Sequence, residues 1–335
     1  MALSNSKPPA SWKYTPQDIS LPADAEDTIS SISWSPVANN LAVASWDGKV
    51  RVYDIVNGAA RGVAMLQAAG PLFSCHWAKD GETIVAAGAE KTAHLLHLPT
   101  GQKATIGSHE APIRAVRFVD IPESNVKYWD LRQQEPLATI RCEERVYSMD
   151  AKSDLLVIAT AERNIHLVDL HKPTTLLRTL RSPLKEQTRA VSVFPDGKGW
   201  GTASIEGRCS INARDKVENS NFDITFRCHR DKPVNGVTKV WTVNDVQFHP
   251  VIQTIFTTAG ADGIISFWDK VSRSRLSFYA QEGNAITTTG FNRDGSLFAY
   301  AVGYDWSMGV CGNNPEIPTK LMLHAVCNRD TKKKR

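Results

Sequence analysis

The stretch LAVASWDGKVRVYDI, Leu41 to Ile55, decides how the rest of the chain reads. Two alternating apolar runs flank Trp46-Asp47-Gly48, and an Asp-Gly pair between such runs marks a β-hairpin turn. The same shape returns as TIVAAGAEKTAHLLHL (83–98), LLVIATAERNIHLVDL (155–170), GWGTASIEGRCSINAR (199–214) and TIFTTAGADGIISFWDK (254–270). A further strand closing on a turn recurs upstream of the hairpins, as TISSISWSP, FSCHWAKDG, RAVSVFPDG, VNDVQFHP and TTTGFNRDG. Pro, Asp and Gly suit these turns because φ there must be fixed or positive.

The last position of the hairpin falls at Asp54, His97, Asp130, Asp169, Ala213, Asp269 and His324, in steps of 43, 33, 39, 44, 56 and 55 residues. Four strands per unit, a period near 40–45 and Trp-Asp endings are the signature of a WD-repeat β-propeller. Seven markers predict an all-β, seven-bladed ring, since no blade buries both its faces alone. The expected organisation is a disordered polar leader over 1–16, a propeller over 17–327 and a basic tail over 328–335. A strand near 18–21 is expected to close the last blade. The 33-residue step is about ten residues short. Within FVDIPESNVKYWDLRQQ, Phe118 to Gln134, the third blade is expected to lack about one strand, through a mis-spliced reading of the gene or as a genuine short form. The two long steps carry CHRDKPVNGVTKVWTVND and YDWSMGVCGNNPEIP, loops of the kind that hold function on a rigid ring.

Composition narrows the function classes. No apolar run is long enough to cross a bilayer, so no membrane insertion is expected. The leader has no apolar core, which argues against a signal peptide and for an intracellular protein. The six cysteines show no ligand spacing and read as reduced, structural thiols. The formal charge of +4 resides in the last seven residues, RDTKKKR, a solvated end or a phosphate-contacting or nuclear-import segment. Nucleophile elbow, zinc-protease, P-loop and dinucleotide motifs are missing. His109, His249, Asp47 and Asp262 sit at turns where repeats of this kind use them structurally. No enzyme activity, cofactor or metal is expected.

Several stretches go further: AEDTISSISWSP, SHEAPIRAVRFV, PLKEQTRAVSVFPDG, SIEGRCSI, FRCHR, SFWDK and FNRDGSLFAYAVGYDWSMG. Together, from about Gln17 to Ala325, they resemble the WD-repeat messenger-RNA export factors of the nuclear pore. The spindle-checkpoint propellers that bind GLEBS motifs of kinases at kinetochores share the PLKEQTR and SIEGR-like segments and give an alternative reading. The resemblance implies a non-catalytic adaptor in nuclear mRNA export, partnered by a GLFG nucleoporin through its GLEBS hairpin and by single-stranded RNA. It implies a monomer, or a heterodimer with the nucleoporin, located at the nuclear envelope and also in the cytoplasm, with mitotic checkpoint proteins as further partners. For the acidic nucleoporin segment the candidates are Arg189, Lys185 and Trp46. An Arg fork pairs bidentately with carboxylates. For RNA the family's basic pocket falls on Arg208, Phe226, Trp268, Lys270, Arg273 and Arg275, cations beside aromatics.

Overall fold

A computed structural model describes residues 18–22, 24–119, 140, 142–215, 223–280, 284–314 and 318–333. The leader and the VKYWDL strand expected at 126–131 lie outside the described residues. Strand β1 (Ile19–Leu21) precedes a first sheet of β2 (Ile29–Trp34), β3 (Asn40–Ser45), β4 (Lys49–Val56) and β5 (Ala59–Gln67). The second holds β6 (Leu72–Trp77), β7 (Thr83–Gly88), β8 (Thr92–His97) and β9 (Gln102–Ser108). The third holds β10 (Val146–Lys152), β11 (Leu155–Thr160), β12 (Asn164–Asp169) and β13 (Leu176–Arg181). The fourth is β14 (Thr188–Val193), β15 (Gly199–Ser204), β16 (Arg208–Ala213) and β17 (Ile224–Arg227). The fifth is β18 (Val243–Phe248), β19 (Ile255–Gly260), β20 (Ile264–Asp269) and β21 (Ser274–Ala280). In the sixth, β22 (Ala285–Phe291), β23 (Leu297–Gly303) and β24 (Lys320–Ala325) take β1 as their outer strand, Ile19 opposite Leu323. A helical turn, α1 (Asn328–Thr331), follows.

The expectation of seven blades is thereby corrected: among the described residues the propeller has six four-stranded blades. The reason lies in chain length. Four six-residue strands with their turns need about 40 residues, and the step from His97 to Asp130 is 33.

The sheets pack face to face, so their second strands are covered on both sides. β7, β11, β15 and β19 are buried at every position. Small residues, as in TIVAAG and GWGTAS, let the neighbouring sheets approach. One cluster joins Ala42 and Val52 to Leu72, Trp77 and Ile84. Another closes the ring, joining Ile29, Leu41 and Tyr53 to Ala299, Leu321 and Leu323. The hairpin turns follow from local chemistry: Gly48 holds φ +80 between β3 and β4, where a Cβ would also meet the Ala68 carbonyl at 3.0 Å.

The inner strands are stitched by side chains. Ser31 and Ser33 Oγ accept the N–H groups of Cys75 and Trp77 at 3.3 and 3.4 Å. Ser148 Oγ and Asp150 Oδ2 accept those of Val191 and Val193 at 3.1 and 2.8 Å. The segment 113–119 joins this pattern without a sheet of its own among the described residues. Val116 N–H donates to Ser74 Oγ and Phe118 N–H to His76 Nδ1, both at 3.2 Å. Burial, then the Arg117 cation, pull His76 down to about 3, so its neutral ring can accept. Ile113, Val116 and Phe118 pack on the Val85, Ala87 and Leu95 face of the second sheet.

Candidate ligand-docking surfaces

The stitching register fixes which side chains reach the mouth of the ring. Phe73, Arg114 and Arg189 each stand two residues before the first bonded N–H of an inner segment, those of Cys75, Val116 and Val191. All three line one central cavity of about 550 Å³. Arg117 also lines it but is engaged: Nε donates to Asp150 Oδ1 at 3.1 Å, and Nη1 to Ser74 Oγ at 3.2 Å. Arg189 Nη2 reaches the Asp305 carbonyl at 3.5 Å; burial lowers its pKa, while the Asp305 and Asp245 carboxylates pull the other way. Arg114 makes no hydrogen bond or ion pair among the described residues. Its side chain is exposed at the cavity mouth, and partial loss of water contact beside the ring wall, then the Arg189 and Arg117 charges, pull it down to about 10.

Aromatic rings form the rim beside these cations. Trp46, in the turn between β3 and β4, stacks on Trp306 with centroids 4.4 Å apart and an interplanar angle of 14°. Phe73 lies 5.5 Å from Trp46, and Tyr304 lies 5.6 Å from Trp306. Trp306 belongs to the long loop before β24 and is pinned by its indole N–H to Thr28 Oγ1 at 3.2 Å. The same loop carries Met308 and Val310, 71% and 79% exposed. Lys185 is exposed just before β14, its backbone N–H bonded to Glu206 Oε1 at 2.8 Å.

The other candidate set spreads along the fourth and fifth sheets. Arg208 stands directly opposite Arg227 in the β16–β17 register and meets Glu206 at 3.2 Å. Phe226 and Trp268 are 2% and 0% exposed and pack against each other at 5.0 Å. Trp268 Nε1 donates to Thr258 Oγ1 at 3.0 Å; Thr258 also meets His229 Nε2, whose Nδ1 meets Asp262 Oδ1 at 2.8 Å. These rings are a floor: the Arg275 guanidinium lies 5.7 Å over Trp268 and 4.7 Å over Phe278. Lys270 points elsewhere, its ammonium 3.7 Å over the Phe194 ring, and burial lowers its pKa. Arg273 is half-buried with φ +53 at the turn between β20 and β21.

Of the residues singled out from the sequence, Arg189 and Trp46 line the central cavity; Arg114, Phe73 and Trp306 line it as well and were not among them. An internal alignment would have found Arg114, because PIRAV and QTRAV repeat the same inner-segment start. Trp306 carried no such signal, as its contact with Trp46 joins opposite ends of the chain. Asp47 and His249 bond to turn backbone, at Lys49 N and at Val251 and Ile252 N, as their turn positions imply. Asp154, Asp169 and His171 form a small cluster that Arg214 already closes, at 2.6 Å from Asp154 and 3.5 Å from Asp169. Among the described residues, no helix is long and apolar enough to cross a membrane.

Residues 19–54 and 221–269 match the family model of the WD domain, G-beta repeat. Fold and match together define a WD-repeat propeller protein. The chain is 45% identical over 331 residues to the mRNA export factor GLE2 of Chaetomium thermophilum, covering 94% of this chain and 92% of that one. It is 44% identical over 333 residues to the WD40 repeat protein poxJ of Penicillium oxalicum, covering 95% and 96%. It is 42% identical over 322 residues to the Poly(A)+ RNA export protein of Schizosaccharomyces pombe, covering 92% and 91%. The chain belongs to this family of WD-repeat mRNA export factors.

Proposed function

We propose that this protein is a non-catalytic adaptor in mRNA export, acting at the nuclear pore. It docks a glutamate-bearing GLEBS hairpin of a nucleoporin at the cavity mouth and offers a basic edge to single-stranded RNA. The observation that carries the docking reading is the pairing of Arg189 with the stacked Trp46–Trp306 rim, a cation beside apolar faces. That combination suits an acidic hairpin with apolar residues, the charge fixing its register. The names of the relatives supply the process. RNA contact falls to Arg208, Arg273 and Arg275, with Phe226 and Trp268 holding the Arg275 side from beneath. Arg189→Glu tests the reading: nucleoporin hairpin binding measured by calorimetry should be lost while RNA affinity persists. Retained hairpin affinity in Arg189→Glu, or a clear preference of the native chain for a checkpoint-kinase hairpin, would sink it.

A further inference from the structure

We infer that Cys209 and Cys228 form a redox-active dithiol, which a hydroperoxide oxidises to an intramolecular disulfide tying β16 to the end of the outer strand β17. The inference stands apart from the docking and RNA readings above.

The two sulfurs already touch. Cys209 Sγ and Cys228 Sγ are 3.6 Å apart, and both pack in one cluster with Phe226 and Trp268. Cys209 stands opposite Phe226, and Cys228 N–H donates to the Gly207 carbonyl at 3.0 Å, so the thiols are diagonal neighbours on one sheet face. Gly207 permits this approach: it holds φ +63, and a Cβ there would run into the His229 carbonyl. A disulfide needs about 2.0 Å between sulfurs. The remaining approach falls to β17, a four-residue strand bonded on one side only.

The thiols are also unlike, which sets their roles. Burial opposes a thiolate at Cys228, but the bond from Cys209, the His229 charge and the His229 backbone N–H hold it below the usual 9.0. Burial, then the Cys228 bond and charge, push Cys209 well above that value. Cys228 keeps 7% exposure and Cys209 none. Cys228 is therefore the thiol that meets a small oxidant, and Cys209 the one that resolves the product. The Cys228 thiolate attacks the O–O bond of hydrogen peroxide, takes one oxygen as a sulfenic acid and releases hydroxide. The Cys209 sulfur then attacks Cys228: the S–S bond forms, the S–O bond breaks, and the hydroxyl leaves as water with the Cys209 proton. The sulfurs give up two electrons and the peroxide takes them.

The test treats the full chain with hydrogen peroxide near one equivalent and maps its cysteine peptides by mass spectrometry. The expected product links Cys209 to Cys228, lacks two hydrogens and is restored by dithiothreitol. Cys75 is the internal reference, since burial pushes its thiol up to about 11. Cys228 should be oxidised at least about tenfold faster than Cys75. Cys209→Ser removes the resolving thiol and should accumulate the Cys228 sulfenic acid, captured by dimedone, while Cys228→Ser should leave Cys209 unoxidised. Should either variant fail to fold, the map of the native chain decides by itself. Oxidation of Cys228 no faster than Cys75 overturns the inference. So does a sulfenic acid that persists at Cys228 with Cys209 present, or a bond from Cys228 to any other cysteine.

Discussion

Removing one imidazole should loosen the closure of the ring, and by an amount that depends on pH. His324 on β24 lies between two carboxylates, Nδ1 at 2.8 Å from Asp18 Oδ1 and Nε2 at 3.2 Å from Asp330 Oδ2. Asp18 adjoins β1 and Asp330 lies in α1, so one side chain ties both ends of the chain to the last blade. Tyr300 hydroxyl donates to Asp18, and the Ser277 and Tyr279 hydroxyls to Asp330, each at 2.6 Å. The basic tail expected over 328–335 thus includes a side chain, Asp330, that is 0% exposed.

Burial opposes charge on His324, yet the two aspartates raise it to about 9. The gap from the usual 6.5 corresponds to about 3 kcal/mol of folding stability. Because the folded pKa lies above the unfolded one, this contribution is whole below pH 6.5 and drains away as pH rises through about 9. Asp330 works with the opposite sign. Burial opposes its charge, but bonds from His324, Ser277 and Tyr279 hold it well below the usual 3.8, so its contribution is lost as pH falls beneath that value. His324→Ala strands two buried carboxylates and should cost about 3–5 kcal/mol at pH 7. Urea unfolding at pH 7 and pH 10 measures it. Burial and the carboxylates push up both phenols, so Tyr279 and Tyr300 stay neutral at the higher pH. The penalty at pH 10 should be smaller by about 3 kcal/mol, since the native ring has by then lost its imidazolium. Equal penalties at the two pH values would show that the closure does not depend on a charged His324.

Two further outcomes are expected. Asp150 is buried, accepts Val193 N–H at 2.8 Å and pairs with Arg117, so Asp150→Ala should destabilise the chain by about 3–5 kcal/mol, and a urea midpoint within error of the native one would refute that role. Double reversal of Arg273 and Arg275 to Glu should weaken single-stranded RNA binding and reduce the slope of log affinity against log salt by about 1 per lost phosphate contact, while an unchanged slope would place the RNA elsewhere.

The ring was legible because each hairpin carries its own turn chemistry. Trp46-Asp47-Gly48 needs no distant residue to bend, and the second strands announce double burial through Ala, Gly and Thr. The blade count was not legible, because it was taken from markers spaced along the chain, while a sheet exists only where enough chain is present to form four strands. The spacing from His97 to Asp130 held that information, and the markers outvoted it. The cation–aromatic cluster across the fourth and fifth sheets was half legible. FRCHR and SFWDK showed cations next to aromatics, but alternation along β17 and β20 sends Phe226 and Trp268 inward, and the strand sequence alone does not say which face a neighbouring sheet will cover. The aromatic rim of the cavity was least legible: Trp46 and Trp306 are 260 positions apart, and only ring closure brings them face to face.

Closure also explains how the central cavity survives beside an unequal ring. Where the third unit of the chain falls, the inner register continues: Val116 and Phe118 bond to the second sheet as any inner strand would. Arg117 then bridges onward, from Ser74 on β6 to Asp150 on β10, and Asp150 in turn holds Val193 on β14. The inner circumference is therefore set by side-chain bonds and not by the breadth of each sheet. Arg114 and Arg189 sit on that circumference, at equivalent positions, and their separation is fixed by this chain of bonds. Loss of outer strands from one unit would change the rim of the propeller long before it moved the two cations at the mouth. Breaking the Arg117–Asp150 link, in contrast, should shift them relative to each other. Asp150→Ala is thus expected to weaken an acidic hairpin even in buffer where the variant remains folded, though Asp150 touches no part of the docking rim.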